Sequence, residues 1–117
     1  MSRAPLLFAL TLLASCGEDA RTRAAHERAD DARVLIANHC AACHEVPGVA
    51  LATGRVGPSL AHIGRQHIIA GYFANDPGQL GAWIEHPQRM LPGNAMPEMG
   101  LSDEQTAKIV EYLYTME

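Results

Sequence analysis

Apolar and polar positions follow one another along this chain with helical rather than strand-like spacing. It opens on a short apolar run, residues 6–14, broken only by Thr11, and then turns polar over residues 18–23. Residues 24–38 read as a helix, because Ala25, Ala29, Ala32, Leu35 and Ile36 recur at spacings of three and four. The first turns of that helix are charged, so only its 32–38 end must pack. Pro47, Gly48, Gly54, Gly57 and Pro58 then punctuate a loop. Residues 66–73 suggest a short helical piece. A clearer helix starts at Asp76-Pro77: Asp76 can cap, Pro77 suits the first helical position, and Gln79 sits where a capping box wants it. It carries Leu80, Trp83 and Ile84 and is bounded by Pro87. Residues 90–101, rich in Pro, Gly and Met, read as loop. Ser102 with Gln105 forms a second capping box, opening a last helix whose stripe is Thr106, Ile109, Val110, Leu113 and Met116. No stretch sustains the period of two that marks a half-buried strand, so the expected fold class is all-α.

Composition changes this picture in one respect. The 117 residues suit a single domain, and 48% are hydrophobic, yet aromatics are only 5%. Short helices with so few large rings build a thin core unaided, which leaves room for something else to fill it. The formal charge of −4 argues against a nucleic-acid partner. Three cysteines are too few for a disulfide scaffold.

The opening run has the length of a signal-peptide core and falls short of the ~20 residues that span a bilayer. It ends in Leu13-Ala14-Ser15-Cys16-Gly17, which resembles the lipobox of bacterial lipoproteins. That resemblance implies cleavage before Cys16 and lipidation of its thiol, with several acyl chains giving a stable anchor. An ordinary secretory signal with Cys16 incidental is the competing reading. The predicted organisation is a lipoprotein signal peptide over 1–15, a lipid-anchored tether over 16–23 and a folded domain over 24–117. The protein is then exported to the periplasmic or cell-surface side. Gly17 in place of the Asp common in lipoproteins retained at the inner membrane leans outward.

The candidate chemistry lies in Cys40-Ala41-Ala42-Cys43-His44, the C-x-x-C-H pattern of c-type haem attachment. Two thiols one helical turn apart can each bond a vinyl group on one porphyrin edge, and His44 can then place its imidazole on the iron. A structural zinc site needs about four ligands, and there is no second Cys pair. A thioredoxin-like redox pair wants a strand–helix context and has no use for His44. A C-x-x-C disulfide is a tight and labile ring. One haem c, covalent through Cys40 and Cys43, is the cofactor expected. For the other side of the iron the candidates are Met90, Met96, Met99, His62, His67 and His86. Met96 is favoured, since Pro92, Pro97 and the late loop stiffen its backbone and pre-position a weak thioether ligand. Met90 and Met99 read as packing groups.

These residues, in order, resemble a class I monohaem cytochrome c of the small bacterial branch. The chain is particularly similar to the cytochrome c domain of caa3-type oxidase subunit II and to free-standing lipoprotein relatives. The similarity spans residues 32–113: Leu35-Ile36-Ala37, the C-x-x-C-H pattern, Val56-Gly57-Pro58-Ser59-Leu60, Ile63-Gly64-Arg65, Trp83-Ile84, Pro92-Gly93-Asn94-Ala95-Met96-Pro97 and Tyr112-Leu113. The resemblance implies a cytochrome c domain in which the Pro58 carbonyl accepts a hydrogen bond from the His44 ring. It implies that Trp83 lies on the haem with its N–H towards a propionate, against the alternative of an ordinary core Trp. It implies a propionate pairing for Arg65, against an exposed Arg. First and last helices should cross with Ala32 at the contact, where relatives often carry Gly.

A His44/Met96 haem leaves no position for a substrate, so the expected role is one-electron transfer without enzymatic chemistry, with Met favouring reduced iron. The expected partners are membrane redox complexes: a bc1-type complex or dehydrogenase as donor and a terminal oxidase as acceptor, with the protein monomeric and held at the membrane by its lipid. Lys108 is the sole lysine, so a lysine-rich docking face is not present; docking through a small apolar patch at the haem edge follows. A permanent subunit of an extracytoplasmic dehydrogenase is the alternative, and a haem-based sensor a further one.

Overall fold

The computed structural model describes the backbone of residues 9–117 and side chains from residue 17 onward. The Cys16 thiol and the peptide preceding it therefore lie outside the described side chains.

The first helix, α1, runs Ala9–His39, so it starts well before residue 24 and passes unbroken through the stretch expected to be a tether. The local reason is plain: between Gly17 and Pro47 there is no Gly or Pro, and Ala, Arg and Glu dominate residues 18–28. Those first turns are exposed, and burial begins only with Ala29, Ala32 and Ile36. Packing thus follows the apolar stripe, whereas helicity runs well beyond it.

A 3-10 turn, Ile63–Arg65, leads into two short antiparallel strands, β1 (Ile68–Ile69) and β2 (Phe73–Ala74). Residues 66–73 are accordingly a hairpin and not the short helix expected. The turn decides it: Ala70 and Gly71 both take positive φ (51° and 77°), and Tyr72 N–H bonds the Ile69 carbonyl at 3.1 Å. Consecutive positive-φ residues suit the right-handed twist of a hairpin and stop a helix. Helix α2 follows as Pro77–Glu85, with the Asp76 carboxylate accepting from Gln79 N–H at 2.9 Å. A one-turn helix, α3 (Pro87–Met90), comes next, and α4 spans Asp103–Leu113 behind the full Ser102/Gln105 capping box. The fold is mostly helical, as expected, with this one small sheet added.

The ends of the domain meet where α1 packs on α4. Ala32, Ile36 and Ile109 are wholly buried there. Ion pairs flank the seam, Arg28 to Glu111 at 2.8 Å and Lys108 to Asp31 at 2.9 Å, and the Arg33 guanidinium lies 5.2 Å over the Tyr112 ring. Exposed pairs like these fix register more than they stabilise. Helix α2 also packs on α4. Among the described residues no helix is long and apolar enough to cross a membrane.

Candidate functional site

The C-terminal end of α1 delivers the cysteine pair. Cys43 and His44 N–H groups both turn back to the Cys40 carbonyl, at 3.0 and 2.9 Å, so a single turn presents both thiols to one cleft. Cys40 is half-buried, and burial, with the neighbouring Cys43 adding to it, pushes its thiol up to about 11. At neutral pH it is a protonated thiol. That is opposite to the depressed thiol of a redox C-x-x-C pair.

A loop hangs directly on this turn. Gly54 N–H bonds the Ala41 carbonyl at 3.2 Å, and Gly57 N–H bonds the Cys43 carbonyl at 2.7 Å. Both contacts need glycine for space: a Cβ at Gly54 would lie 2.5 Å from the Cys43 carbonyl carbon, and one at Gly57 would lie 2.3 Å from His44 Cε1. The loop thereby brings the Pro58 carbonyl to 2.7 Å from His44 Nδ1. A carbonyl can only accept, so Nδ1 carries the proton and donates. The lone pair is left on Nε2, the tautomer of an imidazole ready to ligate a metal.

The cleft so begun encloses about 320 Å³. Leu80, Trp83 and Ile84 of α2 line it, together with Ile109 and Leu113 of α4. Phe73 braces Trp83, with ring centroids 5.9 Å apart. The 91–99 segment contributes Met96 and Met99 to the lining of the same cleft. Met96 is held at both backbone atoms: its N–H donates to Asn94 Oδ1 at 2.7 Å, and its carbonyl accepts from Gln88 Nε2 at 2.8 Å.

The structure thus brings Cys40, Cys43, His44, Pro58, Trp83 and Met96 around one cavity. Arg65 is exposed and is not among the lining residues, and neither is Met90. His39 is among the lining residues, while His86 faces Glu98, with Nδ1 3.4 Å from Oε2. The sequence marks Gly54 as a loop residue and Asn94 as part of the family-like 92–97 stretch, but gives neither of them, nor Gln88, a part in building the site. For Asn94 a signal exists, since Asn readily bonds the backbone two residues on; for Gln88 there is none.

A family model described as Cytochrome c matches residues 29–117. The chain belongs to the cytochrome c family. It is 35% identical over 85 residues to cytochrome c oxidase subunit 2 of Alkalihalophilus pseudofirmus, which covers 72% of this chain and 24% of that protein. It is 34% identical to cytochrome c oxidase subunit 2 of Bacillus subtilis (64% of this chain, 22% of that one) and 28% identical to that of Bacillus sp. strain PS3 (75% and 26%). The chain thus spans about a quarter of the length of these relatives. Membership implies a covalently bound haem c and makes this a haem electron-transfer protein.

The residues present fit that group. Two thiols on one turn, an imidazole with its Nε2 lone pair free and an apolar cleft are what a covalently tethered porphyrin requires. A Cβ at Gly57 would intrude on the imidazole that must sit beneath it. The missing bulk in the aromatic-poor core is accounted for at this cytochrome's cleft.

Proposed function

We propose that this cytochrome is a one-electron carrier with His44 and Met96 as axial ligands, working between membrane redox complexes and delivering to a terminal oxidase. The observation that carries the ligand set is the pairing of a tautomer-fixed His44 with a Met96 held at both backbone atoms, around one cleft. Bound there, haem c supplies a one-electron couple. The chain's own residues do the rest. The Pro58 carbonyl orients the imidazole and raises its basicity. Leu80, Ile84, Ile109 and Leu113 exclude water from the apolar interior. Trp83, which lines the cleft and is braced by Phe73, would donate its N–H to a propionate. A propionate pairing for Arg65 would require its exposed side chain to reach a cleft that it does not line.

The oxidase as acceptor is supported by the named relatives, each a subunit 2 of cytochrome c oxidase. With a single lysine, docking relies on apolar contact at the cleft rim, where Val56 is 76% exposed. Lipidation at Cys16 would hold the carrier at the membrane, on the periplasmic or cell-surface side, and raise its effective concentration at the acceptor.

Two measurements test this. Met96→Ala should abolish the long-wavelength Met–iron charge-transfer band while Met99→Ala retains it; a band surviving in the first variant overturns the ligand assignment. Re-oxidation of the reduced protein by oxidase-containing membranes should slow only modestly from low to moderate salt. A fall of orders of magnitude overturns apolar docking.

A further inference from the structure

The 91–99 segment has no helix or strand of its own beyond α3, and Pro92 and Pro97 remove two backbone donors from it. Its backbone must therefore be held by something else, and two side chains do nearly all of that work. Gln88, on α3, donates from Nε2 to both the Asn94 and the Met96 carbonyls, at 2.8 Å each, and accepts from Gly93 N–H on Oε1 at 3.2 Å. Its own backbone N–H donates to Glu98 Oε1 at 3.2 Å. Asn94 donates from Nδ2 to the Pro87 and Leu91 carbonyls, at 2.9 and 2.7 Å, and accepts from Met96 N–H at 2.7 Å. Every polar hydrogen of both amide side chains has a partner, and each oxygen accepts from a loop N–H.

From this arrangement we infer that Gln88 and Asn94 are positioning residues that set how firmly Met96 is presented to the cleft; the inference rests on Met96 being the axial ligand. A thioether ligand is weak, so the fraction of time the loop spends in its binding-competent arrangement governs whether Met96 or a competitor occupies the site. Rigidity between the two prolines alone does not fix that arrangement. Proline restricts φ but cannot hold the Met96 N–H and carbonyl, and those two atoms are held by Asn94 and Gln88. Gln88 sits at the centre because one side chain spans the loop from Gly93 to Met96.

The test uses the haem-loaded protein. Gln88→Glu keeps shape and the acceptor for Gly93 N–H but loses both donated bonds; Gln88→Leu loses all three side-chain bonds. Exogenous imidazole, competing with Met96 in the oxidised protein, should bind about tenfold tighter in Gln88→Glu and tighter still in Gln88→Leu, with a weakened Met charge-transfer band. Covalent haem content and the α-helical signal should stay unchanged in Gln88→Glu, which remains readable if Gln88→Leu folds poorly. A merely structural Gln88 would lower the unfolding midpoint yet leave imidazole affinity and the band as in the parent protein, and that result overturns the inference. Met96→Ala separates the two readings. If it keeps the band, the ligand assignment itself fails; if it loses the band while both Gln88 variants match the parent, only the positioning role fails.

Discussion

Gly57→Ala provides a sharp test of how the proximal side is built. No positive φ requires glycine at this position, so the substitution acts through space alone. The added Cβ would sit 2.3 Å from His44 Cε1, 2.8 Å from Nδ1 and 2.9 Å from Nε2, so it lands on the ring face. Restoring ordinary contact needs a shift of about 1 Å, and the loop cannot supply it freely because Gly57 N–H is tied to the Cys43 carbonyl at 2.7 Å. Either that bond or the His44–Pro58 bond must lengthen. Overpacking of this kind costs about 1–3 kcal/mol and loss of one hydrogen bond about 1 kcal/mol, giving a destabilisation of about 2–4 kcal/mol. Guanidinium unfolding of the haem-loaded protein reads the loss. The midpoint potential reads its origin: an imidazole deprived of its carbonyl partner is a poorer donor, so the potential should rise. A variant with unchanged stability and potential would refute the account of Gly57 as the residue that lets His44 reach Pro58.

Other expectations follow from the same packing. Thr106 is buried on α4, and its hydroxyl finds no hydrogen-bond partner among the described residues, so Thr106→Val should be neutral or stabilising by about 1 kcal/mol in denaturant unfolding. Lys108 is raised above its ordinary 10.5 by hydrogen bonds to Asp31 and Glu104. A raised folded value favours the charged form in the folded state, so its contribution is complete below pH 10.5 and fades as pH rises through the folded value. The stability gap between the parent protein and Lys108→Met should therefore close on the alkaline side, as followed by unfolding at a series of pH values. Replacing both Cys40 and Cys43 by Ala, and so preventing haem attachment, should leave the domain without a cooperative unfolding transition, because Leu80, Ile84, Ile109 and Leu113 would line a cleft of about 320 Å³ with nothing to fill it. A cooperative calorimetric transition in that variant would contradict it.

Local signals decided much of this protein. The Asp76 and Ser102 caps start α2 and α4 where the sequence placed them, because a cap is settled by residues three apart. The thiol pair and His44 are adjacent in the chain, and one helical turn suffices to aim them together. The aromatic-poor composition already pointed to a foreign group in the core. Where local cues are weak, more than one local structure suits the chain. Residues 66–73 carry apolar residues that suit either state, and the positive φ of Ala70 and Gly71 made a hairpin of them. Helix α1 extends through residues 18–23 because no stop signal lies there, even though no packing asks for it.

Tertiary structure decided the rest, and for one reason: the remaining roles depend on pairs distant in sequence. His44 and Pro58 are fourteen residues apart, and the backbone bonds of Gly54, Gly57 and Leu60 to residues 41, 43 and 45 bring the carbonyl to Nδ1. Likewise Gln88 has no mark in the sequence that sets it apart from a solvated glutamine. Its part emerges only when α3 folds against the 91–99 loop and its amide meets Gly93, Asn94 and Met96 together. Sequence alone named the candidate groups for a haem; the fold supplied the hydrogen bonds that hold them in place.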